Sequence, residues 1–211
     1  MPDTLDRLHD QWAFDELWSH EETGLAVTYD RDRRVAAWCR RRGIRWNERP
    51  QHGVVRPLPS RDGWAGRWRR RMSPPPLPAP RSLEGPSPKT QASLASEEAP
   101  TTDSSETPRT GMIEIQRGGE TRATAVLHSF LHERGEHYQR AMSTPIEGWD
   151  ACSRLSPHLA YGALSIRSVF HATRDRATEL RDDPTAGDWR RSLSSYEKRL
   201  RWHCHFIQKL E

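Results

Sequence analysis

Cysteine is scarce in this 211-residue chain, which contains three cysteines. Cys39, Cys152 and Cys204 form no CxxC pair, which argues against a disulfide framework or a zinc site and favours a reduced, intracellular protein. No apolar run approaches the roughly 18 residues that a membrane span needs. The N-terminus also lacks the apolar stretch of a signal peptide. These absences predict a cytoplasmic protein without a membrane anchor.

Motifs of hydrolytic and metal catalysis are also missing. There is no GxSxG motif for a serine nucleophile. His128 and His132 are four residues apart, but no carboxylate completes an HExxH pattern. His203 and His205 fall on different faces of a helix, which is poor geometry for chelation. Packed or solvated histidines are the simpler interpretation, and we predict no metal site.

The charge balance is modestly basic, with 33 Lys and Arg against 29 Asp and Glu. A calculated pI of 9.2 fits a phosphate-rich partner, but base composition of the genome explains an arginine-rich chain equally well. Nine tryptophans indicate stacking surfaces or a large aromatic core. The basic and aromatic run Trp64–Met72 suits nucleic acid, although a covered helix with an arginine face is the simpler interpretation.

Residues 1–73 have the pattern of a mixed α/β segment. A helix over Tyr29–Arg42 is predicted by its apolar spacing, by arginines in its last turn and by Gly43 directly after it. A short strand that leads into a turn is predicted before this helix, and alternation predicts another strand after it. The other predicted pieces, in chain order, are a strand over Asp15–His20, a strand over Ile44–Glu48 followed by Val54-Val55, and a helix over Asp62–Met72.

Residues 74–115 differ from their surroundings because they are rich in Pro, Ser, Thr and Glu and lack aromatic residues. Such a composition cannot bury enough apolar surface to offset the entropy of ordering, so we predict a disordered linker.

Residues 116–211 have the pattern of a helical domain. An apolar face predicts a helix that ends near Gly135, and Ser165 is placed to cap a later one. The last helix, starting near Asp183 or Ala186, carries one long stripe predicted for the core and a second beside it. The first comprises Trp189, Leu193, Tyr196, Leu200, His203, Ile207 and Leu210, and the second Arg199, Trp202 and Phe206.

The stretch "CSRLSPHLAYGALSIR", residues 152–167, combines two helix-start signals with a glycine break. Helix N-termini bind phosphate well, and Ser153 and Ser156 add hydroxyl donors near a possible nest of backbone N–H groups at Leu155 and Ser156. The alternative is structural: Ser156-Pro157 caps one helix, Gly162 closes the turn, and no ligand is involved. Spacing alone favours this second interpretation.

Five blocks resemble the DNA photolyase/cryptochrome family, in the family's order and over most of the chain outside the linker. They are "WSHEETGLAVTYDRDRRVAAWCRRRGI", "QHGVVRPLPSRDGWAGRW", "GGETRATAVLHSFLHERGEHYQRAMSTP", "CSRLSPHLAYGALSIR" and "RLRWHCHFIQKLE". The resemblance implies that residues 1–73 are the end of a Rossmann-like antenna domain. It also implies that residues 116–211 are the first half of an all-helical FAD-binding domain.

The resemblance also implies roles for single residues. Tyr138 corresponds to a tyrosine against the FAD phosphates, and Ser153, Leu155 and Ser156 to the residues that bind the FAD diphosphate; Cys152 replaces a frequent threonine there. Trp202 corresponds to the tryptophan that stacks on the flipped pyrimidine dimer. Arg199 and His203 lie beside this lesion-facing stripe as further cofactor contacts, although the position of Arg199 often holds a carboxylate in other branches.

By resemblance, the chain derives from a light-driven carbon–carbon lyase that transfers an electron from reduced FAD to a pyrimidine dimer in DNA. A second antenna pigment of folate or deazaflavin type belongs to the full-length family. The chain lacks the family's flavin-ring half, so we expect weak FAD binding alone and a truncated or split enzyme, with the C-terminal half encoded separately in the split case. A blue-light cryptochrome photoreceptor and an inactive remnant are the alternatives.

We expect residues 74–115 to be cut by proteases much faster than the segments on either side, because the stretch has no apolar anchors. Limited proteolysis followed by mass spectrometry locates the cuts. Amide-exchange protection equal to that of the flanking helices would contradict the prediction.

Overall fold

The computed structural model describes residues 2–82 and 116–211. Its first part is built around two parallel strands, β1 (Glu16–His20) and β2 (Arg45–Arg49), which pair in the register Glu16 to Arg45. Helix α2 (Ala26–Arg42) connects them as one βαβ unit, and helix α1 (Pro2–Trp12) precedes it. Gly43 ends α2 with φ of 72°, a conformation that glycine adopts without a Cβ penalty.

A small core lies between these elements. Its buried residues are Leu5, Val35, Trp38, Cys39 and Ile44. The indole N–H of Trp38 donates to Asp6 Oδ1 at 2.9 Å, so the polar edge of this buried ring has a partner. The predicted α2 and both predicted strands are confirmed, with ends that differ by at most three residues. The valine pair at 54 and 55 forms no strand; Val54 belongs to a second, larger core.

Helices make up the remainder of the described chain, which confirms the prediction of a mainly helical protein with a small α/β part. After α3 (Trp64–Met72), the elements are α4 (Glu120–Ser129), a π-helical turn (Phe130–Arg134), α5 (Tyr138–Ala141), α6 (Glu147–Ala151), α7 (Ser156–Ala160), α8 (Ile166–Glu179) and α9 (Gly187–Gln208). No helix within residues 2–82 or 116–211 combines the length and apolar character that crossing a membrane requires.

The larger core joins the first part of the chain to the helices, because Met1–Pro75 and Gly118–Glu211 form one compact unit. Trp68 on α3 packs edge-on against Phe170 on α8, with ring centroids 5.5 Å apart. At the end of α9, the amide side chain of Gln208 accepts from Val55 N at 2.7 Å and donates to Val55 O at 2.9 Å. Gln208 thus gives the backbone of Val55 the partners that a neighbouring strand would provide.

The core stripe predicted for the last helix is correct at the buried Leu193, Tyr196 and Leu200, and Trp189 and Ile207 pack partly buried against the same core. It is wrong at His203 and Leu210. Cys204 and Gln208 are buried there, whereas His203 is exposed and Leu210 is 81% exposed. The predicted stripe has a period of 3.5 residues, and a helix of 3.6 residues per turn drifts from it by about 20° per heptad. After two heptads the drift has moved the buried face to the next residues.

Most of the linker prediction lies outside the described residues, since residues 83–115 are not described. Residues 74–82 contain no helix or strand.

Gly53 is where backbone and ring approach most closely. A Cβ on Gly53 would lie 2.1 Å from Trp68 Cδ1, and the carbonyl of Gly53 accepts from Trp64 Nε1 at 3.1 Å. We expect Gly53→Ala to lower the free energy of unfolding by about 1–3 kcal/mol through overpacking, measured by urea denaturation. The matched control is Gly66→Ala on α3, whose new Cβ meets only Arg70 Nη1 at 3.7 Å. That change should stabilise by about 0.5–1 kcal/mol; equal effects of the two variants would contradict the prediction.

Candidate functional site

The segment before α7 is held by one guanidinium, that of Arg134 at the end of the π-helical turn. Arg134 donates to the carbonyl of Asp150 at 2.9 Å, to that of Ser153 at 2.8 Å and to that of Cys152. Burial lowers the pKa of Arg134, yet an arginine stays charged because its pKa starts so high. These charge-assisted bonds fix the path of residues 150–153.

The next residue, Arg154, has the left-handed φ of 60°, which is rare for a residue with a Cβ. Leu155 follows with φ of −90° and ψ of −8°. Successive residues of left- and right-handed conformation turn their N–H groups to the same side and form an anion nest. Within the described residues, the N–H groups of Leu155 and Ser156 donate to no backbone carbonyl.

Ser156 does not cap helix α7, contrary to the sequence-based expectation. Leu155 occupies the N-cap position, and the helix begins at Ser156, which is exposed and makes no capping hydrogen bond. Because the chain makes a left-handed turn at Arg154, the helix begins at Ser156 itself. A helix capped by Ser156 would begin one residue later. Ser165 is a true cap, because its Oγ accepts from Ser168 N at 3.0 Å, as predicted.

An aromatic cluster lies beneath this segment. Tyr138 is 6% exposed and packs edge-on against Phe130 and Tyr196, each with centroids 5.5 Å away. Burial raises the pKa of Tyr138 to about 12 and also raises that of Tyr196, so both phenols are protonated at neutral pH. A side-chain hydrogen bond from Ser153 acts on the Tyr196 pKa in the opposite direction.

Ser192 positions Tyr138 from below. Its buried hydroxyl donates to the carbonyl of Glu136 at 2.6 Å and accepts from Gln139 N at 3.1 Å. The serine therefore ties the backbone on both sides of Tyr138 to helix α9.

Positive charge surrounds Cys152 at the centre of this region. Burial is the largest influence and raises the pKa of the Cys152 thiol, while Arg134, Arg154 and Arg199 each act to lower it. The arginines come from three different elements: the π-helical turn, the segment before α7, and α9. The guanidinium of Arg154 is also placed 3.5 Å from the ring centroid of Trp149. This concentration of fixed cations suits an anion.

Most of the sequence-predicted site residues meet here. Tyr138, Ser153 and Leu155 are neighbours around the aromatic cluster, although the Leu155 side chain is buried at 1% exposure and leaves only its backbone available. Arg199 reaches the same region, with Nη2 lying 3.9 Å from Met142 Sδ. Its guanidinium is also 4.3 Å from the ring centroid of Trp202, which is 43% exposed.

His203 faces a different place. It lines a cavity of about 140 Å³ together with His20, Gln51, His52, Leu164 and Ile166. The imidazoles of His203 and His52 are 6.1 Å apart, and desolvation lowers the pKa of His203. The sequence analysis expected His203 to lie beside the stripe of Arg199 and Trp202. In the structure, His203 lines this cavity, whereas Arg199 contacts Trp202.

Two residues of the site were missed by the sequence analysis. Arg134 stands in "HERGEH", where nothing distinguishes it from a solvated arginine. His52 is buried, with Nδ1 accepting from Val54 N at 3.4 Å and Nε2 lying 3.1 Å from Thr23 Oγ1. Only its place in "QHG", directly before the tightly packed Gly53, was available as a signal.

Comparison with known proteins finds similarity to photolyases. No family model matches the chain. The chain is 27% identical over 210 residues to a deoxyribodipyrimidine photo-lyase from Halobacterium salinarum, a match that covers 92% of this chain and 40% of the relative. In fold it is similar to a bacterial class III photolyase from Agrobacterium tumefaciens, with a TM-score of 0.61 and 20% identity over 99% of this chain and 43% of that one.

Both similarities support the resemblance, found in the sequence, to part of a photolyase/cryptochrome protein. It spans 40% of the length of the curated relative that it matches.

We expect the stability of the chain to depend on His52 below neutral pH. Burial lowers the pKa of His52 from 6.5 to about 4, so the unfolded chain takes up this proton more readily than the folded one. The contribution of the neutral ring is fully present above about pH 6.5 and is lost as the pH falls towards 4. The total loss should be about 3 kcal/mol.

The measurement is the free energy of unfolding at several pH values for the native chain and for His52→Gln, which keeps polar groups but does not titrate. The native chain should lose more stability than the variant between pH 6.5 and 4. Parallel curves for the two proteins would show that His52 titrates alike in the folded and unfolded states.

Proposed function

We propose that this chain is part of a photolyase-like flavoprotein that repairs pyrimidine dimers in DNA by light-driven electron transfer from reduced FAD. Similarity to two photolyases supports the class of protein. The observation that carries the cofactor assignment is the left-handed turn at Arg154. The two N–H groups that follow it donate to no backbone carbonyl, and Arg134 and Arg199 add their positive charges to that of Arg154.

A diphosphate fits these residues chemically. The nest at Arg154-Leu155 offers backbone N–H donors. Ser156 offers an exposed hydroxyl that makes no helix-capping hydrogen bond. The positive charges of Arg134, Arg154 and Arg199 offset the negative charges of the two phosphates. Ligand recognition by a nest and nearby guanidinium groups is common among phosphate sites.

In the proposed complex, Ser153, Leu155 and Ser156 hold the diphosphate, and Tyr138 supports this region through the buried aromatic cluster. Arg199 adds charge at its edge, and Trp202 presents a partly exposed ring on which an extruded base can stack. His203 lines the cavity that it shares with His52, so in this proposal it contacts the cofactor from that cavity and not from the nest. FAD supplies the electron when bound, and the residues of this chain position it.

DNA carrying ultraviolet-induced dimers is the proposed substrate. The exposed Trp202 favours repair over the signalling role of a cryptochrome, because a stacking ring has a use in lesion binding. Contacts to the flavin ring and to a second antenna pigment are proposed for the part of the relatives' length that this chain does not span.

We expect Ser156→Ala to weaken FAD binding by roughly ten- to a hundredfold, since a hydrogen bond to a charged group is worth about 1.5–3 kcal/mol. Stability of the free chain should not change, because Ser156 caps no helix. Isothermal titration with FAD, and with riboflavin as a ligand without diphosphate, gives the affinities. We expect Ser156→Ala to lower the affinity for FAD and to leave the affinity for riboflavin unchanged.

Ser165→Ala is the matched control because Ser165 is a true cap. It should cost about 1 kcal/mol of stability and leave FAD affinity unchanged. Equal affinity of the native chain for riboflavin and FAD, or an unaltered FAD affinity in Ser156→Ala, would reject the diphosphate site. The repair activity itself is tested by illuminating a dimer-containing oligonucleotide with the chain and reduced FAD.

A further inference from the structure

Two exposed histidines stack on each other where α4 runs into the π-helical turn. The ring centroids of His128 and His132 lie 4.4 Å apart, and the ring planes differ by 24°. Both residues are exposed. Because neither ring lies in the core, the pair removes little apolar surface from water and adds little to the stability of the fold. Its chemistry is that of two accessible imidazoles on one helix face.

The stacking follows from the change of helix type between the two residues. His128 lies in α4, and His132 lies in the π-helical turn Phe130–Arg134. Four residues advance about 400° around the axis of an α-helix, which sets the second side chain roughly 40° past the first. The wider π-helical turn advances less per residue, so His132 lies more directly over His128. Turns of this kind occur frequently at functional sites.

The spacing of the two rings suits the chelation of one metal ion. Metal–nitrogen bonds of about 2.0–2.1 Å at a tetrahedral angle place two imidazole nitrogens roughly 3.3 Å apart. The tilt of 24° brings one pair of ring edges closer together than the 4.4 Å between the centroids. Exposed side chains also rotate readily about their own bonds. A small rotation therefore brings one nitrogen from each ring to the required separation.

A carboxylate accompanies the pair. Glu133 Oε1 lies 4.0 Å from His128 Nδ1, and Glu133 Oε2 accepts from Ser129 Oγ at 3.2 Å. The hydroxyl holds the carboxylate beside the rings, and the negative charge favours a cation there. Because Nδ1 of His128 faces the carboxylate, Nε2 is the nitrogen left for an ion. Metal-binding histidines commonly have their other ring nitrogen turned towards a carboxylate in this way.

The charges around His132 leave room for a cation. Partial desolvation lowers the pKa of His132, and Arg176 and His128 act in the same direction. Glu179 and Glu133 act in the opposite direction. The ring of His132 is therefore neutral at pH 7, with a nitrogen lone pair available to an ion. Arg176 is itself paired with Glu179 at 2.9 Å, so its positive charge is partly offset.

We propose that His128 and His132 together bind one divalent transition-metal ion that favours imidazole, Zn²⁺ or Cu²⁺, with Glu133 beside it as a counter-charge. Within residues 2–82 and 116–211, no three His, Cys, Asp or Glu side chains are arranged to hold an ion together. Water therefore completes the coordination, and the ion exchanges with the solvent. This site replaces the sequence-based expectation of no metal site, and it is independent of the proposed flavin site.

The test is isothermal titration of the 211-residue chain, prepared without a histidine tag, with Zn²⁺ in one arm and Cu²⁺ in the other. We expect both ions to bind, and Cu²⁺ to bind more tightly than Zn²⁺. His128→Ala and His132→Ala should each weaken binding by at least roughly tenfold, because each variant removes one of the two ligands. Glu133→Gln should weaken it by roughly two- to fivefold, since exposed charges interact weakly.

His137→Ala provides the matched control. His137 is also exposed and has a carboxylate nearby, with Nδ1 lying 3.9 Å from Asp188 Oδ2, but it does not belong to the stacked pair. Its removal should leave the affinity for Zn²⁺ unchanged. Mg²⁺ prefers oxygen ligands and should not bind. Lowering the pH from about 7.5 to about 5.5 should weaken Zn²⁺ binding, because protons compete with the ion for the ring nitrogens.

Full affinity for Zn²⁺ in both His128→Ala and His132→Ala would overturn the proposal. An equal loss in His137→Ala, or binding of Mg²⁺ as tight as that of Zn²⁺, would do the same. Thermal unfolding with and without Zn²⁺ provides a second readout, because an ion that binds the folded chain raises its melting temperature. The assays contain neither FAD nor DNA, so the metal site and the diphosphate site can fail independently.

Discussion

Burial of one face of α9 is the constraint on which the described structure depends. The helix has 22 residues, and its buried positions Leu193, Tyr196, Leu200 and Cys204 are part of the larger core. The same core contains Trp64, Trp68 and Met72 of α3, so a single helix connects the early α/β part with the later helices. Removing this much apolar surface from water is the dominant favourable term in folding.

The two ends of α9 have polar ties in addition to the apolar face. Near its start, Ser192 holds the backbone around Tyr138, and at its end Gln208 supplies both partners for the backbone of Val55. Such buried polar contacts are directional, whereas apolar burial is not. These contacts fix the position of α9 along its own axis. They therefore also fix the position of the aromatic cluster next to the proposed diphosphate site.

The charged part of the site is arranged by backbone contacts more than by side-chain pairs. Arg134 donates hydrogen bonds to carbonyls of residues 150–153. These bonds hold the chain in place directly before the left-handed turn at Arg154. A strained residue of this kind persists only where its surroundings determine it, and such residues cluster at ligand sites. The positively charged surroundings of Cys152 follow from the meeting of three separate elements.

Local signals in the sequence determined the elements. Gly43 after an arginine-rich turn marked the end of α2, Ser165 marked a capped helix, and alternating residues marked the strand after α2. The ordered blocks, CSRLSPHLAYGALSIR above all, carry the resemblance to photolyases that the comparisons support. These features could be read directly because each depends on residues close together in the chain.

Only the tertiary structure decided which faces and groups meet. The 3.5-residue pattern of α9 placed His203 and Leu210 in the core, but the helix turns every 3.6 residues and buries Cys204 and Gln208. Ser156 had the spacing of a cap, yet the left-handed φ of Arg154 moved the start of the helix. Arg134 and His52 gave no usable signal, because their roles come from carbonyls and rings distant in sequence. Pairing between such distant groups is a property of the packed chain and has no periodicity along it.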